Sequence, residues 1–164
     1  MKLFRIILAL ALLAVALPAW AQQLVTIQPA QVSAIANGTT TRNISSLPPC
    51  MMLDILLRIS TTGTATGTLT VFVEDSVDGG TTWDDMVSSN TFALGAAVTN
   101  QRFFVNGYIA STATSGSVAA TEALAAGTTR QGPFGDRLRV REVIASASGS
   151  PVGATYTITA VCKP

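Results

Sequence analysis

Thr68-Leu69-Thr70-Val71-Phe72-Val73-Glu74-Asp75-Ser76-Val77-Asp78-Gly79-Gly80-Thr81-Thr82-Trp83 decides how this chain folds. Successive side chains of a strand point to opposite faces, so the first half of the stretch puts Leu69, Val71 and Val73 on one face. Asp78-Gly79-Gly80 then stops the strand with a carboxylate that accepts turn N–H groups and two residues free to take positive φ. Trp83 covers the turn with a large ring and opens a returning strand through Val87. The spacing predicts a β-hairpin over residues 68–87.

Strand signals continue on both sides. Met51, Leu53, Ile55, Leu57 and Ile59 share one parity, with Asp54 and Arg58 on the other, which describes a half-buried strand. Leu24–Gln28 and Val32–Ala36 read as two short segments separated by Pro29, with Asn37-Gly38 as a turn, followed by Thr39–Ile44. Thr91–Leu94, Arg102–Val105 and Tyr108–Ala110 read as further strands. Leu138–Ile144 and Ala154–Val161 read as a closing hairpin around Ser148-Gly149-Ser150-Pro151. The Ala-rich stretch Val118–Ala126 suits two turns of helix, but its Gly116 and Gly127 flanks and its Thr content suit equally a long loop near residues 111–132. The expected fold is all-β, an antiparallel sandwich of jelly-roll or immunoglobulin-like type, with a flattened barrel as the alternative.

The first 21 residues read as an export signal. Lys2 and Arg5 precede an apolar run, Ile6–Leu17, which is broken by Pro18 and followed by Ala19-Trp20-Ala21, a small-x-small cleavage site. That run falls short of the roughly 20 residues needed to span a bilayer. The expectation is a cleaved signal at 1–21, a single domain at 22–164, a secreted or periplasmic location and no stable membrane insertion after cleavage. Loss of Lys2 and Arg5 turns the formal net charge from +1 to negative, so charge gives no reason to expect nucleic-acid binding.

Cys50 and Cys162 are the two cysteines of the chain, an even pair suited to an oxidising compartment. Pairing them would close a loop of about 110 residues, worth about 4–5 kcal/mol in the chain-entropy picture. Parity leaves the alternative of two buried thiols open, since Cys162 aligns with apolar Ile158 while Cys50 aligns with Asp54.

The residue types suited to chemistry point away from catalysis. With no His in the chain, the commonest general base and the commonest zinc ligand are both missing. No metal-ligand spacing, phosphate-cradling loop or marked carboxylate pair appears, so no catalytic, metal or cofactor site is expected. Ser76, Asp78, Gly80, Thr82 and Trp83 match the S-x-D-x-G-x-T-W spacing of the Asp-box, a hairpin motif also found in sialidases. A sialidase propeller needs several such boxes and over twice this length, so the role expected here is structural. Calcium on Asp75, Asp78, Asp84 and Asp85 is a weaker reading, because Asp78 is committed to its turn.

Arg137, Arg139 and Arg141 alternate along one strand and form a row about 13 Å long on one face. That row either binds an acidic or glycan ligand or pairs with carboxylates such as Glu74 or Asp54 on neighbouring strands. Arg102-Phe103-Phe104 and Tyr108 offer an aromatic binding strip as a weaker reading, because alternation sends Phe103 and Phe104 to opposite faces and at least one of them to the core.

The succession Met52–Ser60, Gly63–Thr66, Val71–Trp83, Arg137–Arg141, Gly149-Ser150-Pro151 and Tyr156–Val161 resembles small all-β structural proteins of tailed bacteriophages, those of head decoration, head fibres and tails. The resemblance covers about residues 50–164. It implies a passive sandwich that binds a protein lattice or a host-surface glycan. The export signal, the Cys pair and the Asn100–Arg130 insertion depart from that pattern. They favour a secreted structural or assembly protein that self-associates, with a carbohydrate-binding or adhesive module as the alternative and a virion protein proper third.

Overall fold

A computed structural model describes residues 22–33, 37–61, 66–94, 99–107, 124–148 and 154–164. Its strands are β1 (Gln23–Val32), β2 (Gly38–Ser46), β3 (Met52–Thr61), β4 (Thr66–Ser76), β5 (Asp84–Ser88), β6 (Phe92–Ala93), β7 (Asn100–Asn106), β8 (Arg137–Ser148) and β9 (Thr155–Lys163). No helix occurs among the described residues, and none there is long and apolar enough to cross a membrane. The proposed signal at 1–21, Ala34–Ala36, the glycine turn at 63–65, Tyr108–Ala110, most of the Ala-rich stretch and the Gly149-Ser150-Pro151 turn lie outside the described residues.

The strands form two antiparallel sheets, ordered β1-β9-β3-β7 and β2-β8-β4-β5, with β6 added to the far end of β4. The first is called sheet A here and the second sheet B. Neither closes into a barrel. Apart from the β4–β5 hairpin, successive long strands alternate between the sheets, which is the strand order of a jelly roll.

Period-2 alternation builds the interior. In β9, Tyr156, Ile158, Ala160 and Cys162 are buried while the residues between them are half-exposed. Leu53, Ile55, Leu57 and Ile59 of β3 do the same on sheet A, facing Leu69, Val71 and Val73 of β4 and Leu138 and Val140 of β8 on sheet B. Burial of that set, at about 25 cal/mol per Å² of apolar surface, is the main force holding the layers together.

Two strand expectations need correction. Residues 24–32 form one strand that runs through Pro29, with register shifts between Thr26 and Gln28 and between Gln28 and Gln31. This is possible because β1 is an edge strand, where a missing N–H costs no ladder bond. The closing hairpin of β8 with β9 does not form. β9 lies between β1 and β3, and β8 lies between β2 and β4. The two strands meet face to face across the layers, where the Tyr156 hydroxyl donates to Glu142 Oε1 and Arg42 Nε donates to the same oxygen at 2.5 Å. Burial and the Glu142 carboxylate together push the Tyr156 phenol well above its ordinary range. Thr91–Leu94 contributes only the short β6.

Cys50 and Cys162 are bonded, with Cα atoms 5.6 Å apart. The parity objection fails because Cys50 lies before the start of β3, in the Pro48-Pro49 approach, where strand alternation does not fix its direction. The bond ties the entry of β3 to the end of β9, and the Met51 N–H to Lys163 carbonyl bond (2.8 Å) reinforces it.

Two of the sheet edges, β5 and β7, are covered in part. Along β5, the Ser88 N–H donates to the Thr128 carbonyl and Arg130 N–H to that of Met86, so the described end of the 111–132 loop acts as an irregular extra strand. On β7, the Gln131 side chain substitutes for a peptide group: its amide nitrogen donates to the Phe104 carbonyl (2.9 Å) and its oxygen accepts from the Asn106 N–H (2.8 Å). Covering an edge in this way blocks uncontrolled strand pairing.

Candidate functional site

The turn between β4 and β5 is held by its own side chains. Asp78 accepts from the Thr81 N–H (3.0 Å), the Thr82 N–H (2.9 Å) and the Thr82 hydroxyl (2.7 Å), and Ser76 Oγ donates to it at 2.7 Å. Gly79 and Gly80 take φ of 74° and 100°, a region closed to most side chains. The Trp83 indole N–H donates to the Gly80 carbonyl at 3.0 Å. The Thr82 N–H, the Ser76 hydroxyl and the Thr82 hydroxyl together hold the Asp78 carboxyl far below its ordinary range. At the tip Val77 is 77% exposed.

On the outer face of sheet B the arginine row meets its partners. Glu74 accepts from Arg139 Nε and, at 2.6 Å, from Arg141 Nε, and Arg141 also donates to Asp85. Arg139 lies 4.6 Å from the Trp83 ring centroid and Arg141 lies 3.9 Å from that of Phe72, so both rings carry a guanidinium on one face. Burial drives Glu74 up in pKa, but its two arginine bonds outweigh it and the net shift is downward. Asp85 is raised, chiefly by burial. Arg137 stays exposed beside Ser76 in the register. Asp54 is not a partner of this row, because it lies on the other sheet.

Three of the four suggested calcium ligands already have protein partners, and the fourth, Asp84, stands opposite Asp75 in the register. Asp78 holds its turn, Asp85 binds Arg141 and the Leu124 N–H, and Asp75 binds Arg130 and the Gly135 N–H (2.8 Å). No group of three His, Cys, Asp or Glu residues suited to a metal occurs among the described residues.

The outer face of sheet A has a different character. One register row runs Leu24, Val161, Asp54, Phe104 across four strands, and the next runs Thr26, Thr159, Leu56, Arg102. Leu24 is 69% exposed and Phe104 47% exposed. Phe103 points inward and is buried, as the alternation requires. Asp54 accepts from Arg102 Nε at 2.6 Å and lies 3.8 Å from Lys163 Nζ, and Arg102 is the main reason that its pKa is lowered. Leu24, Leu56 and Val161 floor an open groove of about 310 Å³, with Arg102 on its rim. The space between the sheets, by contrast, holds an apolar cavity of about 10 Å³, at the limit for one water.

The sequence offered Arg102 and Phe104 of this face within the Arg102-Phe103-Phe104 strip, whose Tyr108 lies outside the described residues, but not Leu24, Leu56 or Val161. The signal was present in weak form. Leu56 is apolar on the parity of Asp54 and Arg58, and Val161 is apolar among the outward threonines of β9. Both break the alternation without a packing need inside the sandwich. The Asp54–Arg102 pair gave no such signal, because it depends on β3 and β7 being neighbours. Comparison of the chain with protein-family models, with curated proteins and with solved structures finds no match.

Proposed function

We propose that this chain is an exported, non-catalytic structural subunit that assembles with protein through the outer face of sheet A. The observation that carries the reading is that face itself: Leu24 and Phe104 stand exposed beside Leu56 and Val161, ringed by Arg102, Lys163 and Arg58. Apolar side chains placed together in solvent with charged neighbours are the usual composition of a contact surface.

Three further observations support it. The Cys50–Cys162 bond suits an oxidising compartment and so agrees with a signal at 1–21. The Ser76–Trp83 turn, read as an Asp-box, is occupied with its own hydrogen bonds and works as a rigid corner. The jelly-roll strand order is shared by capsid subunits and lectins, an analogy of fold only, and it accords with the resemblance to phage structural proteins. The glycan-binding alternative is less well supported, because sugar stacking on Trp83 or Phe72 would compete with Arg139 or Arg141 for the ring face.

Sedimentation velocity of residues 22–164 from micromolar to millimolar concentration tests the reading. Concentration-dependent growth is expected, and a strict monomer throughout overturns self-assembly. N-terminal sequencing of the exported protein is expected to begin at or near Gln22; an intact Met1 removes the export part of the proposal.

A further inference from the structure

Most charges among the described residues cancel in place. Arg42 pairs with Glu142, Arg130 with Asp75, and Arg139 and Arg141 with Glu74 and Asp85. What remains is sorted in space. On the outer face of sheet A, Arg58 has no ion-pair partner among the described residues, and Arg102 and Lys163 share the single carboxylate of Asp54, so the face is left positive. At the end of sheet B, Asp78 sits in the turn, Asp84 opens β5 directly after it, and Asp136 precedes Arg137, which is in register with Ser76. Arg137 alone opposes these three acids, so the turn is left negative. Exposed Val77 stands in its centre.

The two sites therefore complement each other twice over. The turn is an apolar knob with an acidic collar; the groove of about 310 Å³ has an apolar floor of Leu24, Leu56 and Val161, its wall carries the Asp54–Arg102 pair, and the surplus charge of the face around it, on Arg58 and Lys163, is positive. Within one molecule they cannot meet, because the groove lies on the outer side of sheet A and the turn projects from sheet B, with the core between them. Face-to-face pairing of two sheet A surfaces is disfavoured, since it would bring Arg58, Arg102 and Lys163 of each copy against like charge.

We infer that the partner on the sheet A groove is the Val77–Asp78 turn of a second copy of this chain, in a head-to-tail contact. This rests on the self-assembly reading above and specifies its geometry. Such a contact is heterologous: each copy added still offers a free groove at one end and a free turn at the other, so growth is open-ended unless a ring closes.

The test uses two double variants at exposed positions of residues 22–164. Leu24→Ser with Arg58→Ser disables the groove, and Val77→Lys with Asp136→Lys disables the turn, so that the two disabled ends carry no charges that complement each other. Far-UV circular dichroism confirms folding of each, with Leu24→Ser and Val77→Ser as milder replacements if either double variant fails to fold. In sedimentation velocity the wild type should form species larger than a dimer, weakened by salt because the contact is partly electrostatic. Each double variant alone should associate about tenfold or more weakly. Mixed together, they should form a one-to-one dimer and nothing larger, because one supplies the turn and the other the groove. If the wild type associates but the mixture does not, or if either variant alone associates as the wild type does, the head-to-tail contact is wrong while self-assembly stands. A wild type that stays monomeric overturns both.

Discussion

The two outer faces of the sandwich start from similar materials and finish differently. Each carries arginines, carboxylates and aromatic rings on antiparallel strands. On sheet B the cross-strand register brings Arg139 opposite Glu74 and Arg141 opposite Phe72, and the charges and ring faces satisfy one another. On sheet A the register sets Val161 and Phe104 on either side of Asp54, so one carboxylate serves two cations, the Phe104 ring has only the Lys163 ammonium 6.0 Å from its centroid, and Leu24 stays in solvent. A polar network with its partners in place is stabilising and inert. A face left with apolar area and excess charge is what the proposed contact would cover.

If sheet B is a closed network, breaking it should be costly. Glu74→Ala strands Arg139 and leaves Arg141 with Asp85 alone, both arginines being largely covered, and should destabilise by about 3–5 kcal/mol; urea unfolding measures it. A loss below 1 kcal/mol would mean that the row is solvated and the contrast between the faces is false. Next in size, Phe72→Ala removes a buried ring beneath Arg141 and should cost about 2–4 kcal/mol. Phe104→Ala on the other face should cost under about 1 kcal/mol. Equal losses at the two phenylalanines would remove the distinction.

This contrast also marks how far the sequence could be read. The inward faces of β3, β4, β8 and β9 were legible because burial on one side forces strict alternation, and Leu138, Val140 and Ile158 need no knowledge of their neighbours to be placed. The hairpin turn was legible because Asp78, Gly79 and Gly80 meet local demands. Pairing was not. A turn such as Gly-Ser-Pro reverses the chain without saying whether the next strand lies beside the last or across from it, so β8 and β9 were joined in one sheet when they belong to two. The outer faces inherit that limit. Assigning Arg139 to Glu74 and Asp54 to Arg102 requires the strand order, and Gln131 closing the β7 edge depends on where a loop passes. Pro29 misled for a related reason: it forbids a central strand but not an edge one.

The turn offers an effect of intermediate size and definite sign. Donors from Thr82 and Ser76 depress the pKa of Asp78, so its contribution to stability is fully present above the ordinary carboxylate range, about 4, and is lost as pH falls through the folded value. Asp75 and Asp85 are raised, first by burial, and act oppositely: their ionisation opposes folding and their protonation relieves it. Asp78→Asn should therefore lower the melting temperature at neutral pH, and its gap from wild type should narrow as pH drops below about 4. A gap that does not change with pH would show that the loss at Asp78→Asn does not come from the carboxylate charge, and that no charge is held at that corner.

The smallest expected effect on stability is the most informative about the face left open. Leu24 sits on an edge strand, mostly in solvent, and buries little on folding. Leu24→Ser should change the unfolding free energy by no more than about 0.5 kcal/mol. If the groove is a contact surface, the same substitution should still reduce concentration-dependent association, because the side chain's apolar area is removed from water only when a partner arrives. Stability and association are thus predicted to separate at Leu24 and to move together at Glu74, where loss of the network disorders the strands that carry the Val77 turn. Were Leu24→Ser to lower stability by as much as Phe72→Ala, Leu24 would belong to the fold, and the groove would have to be sought elsewhere on the molecule.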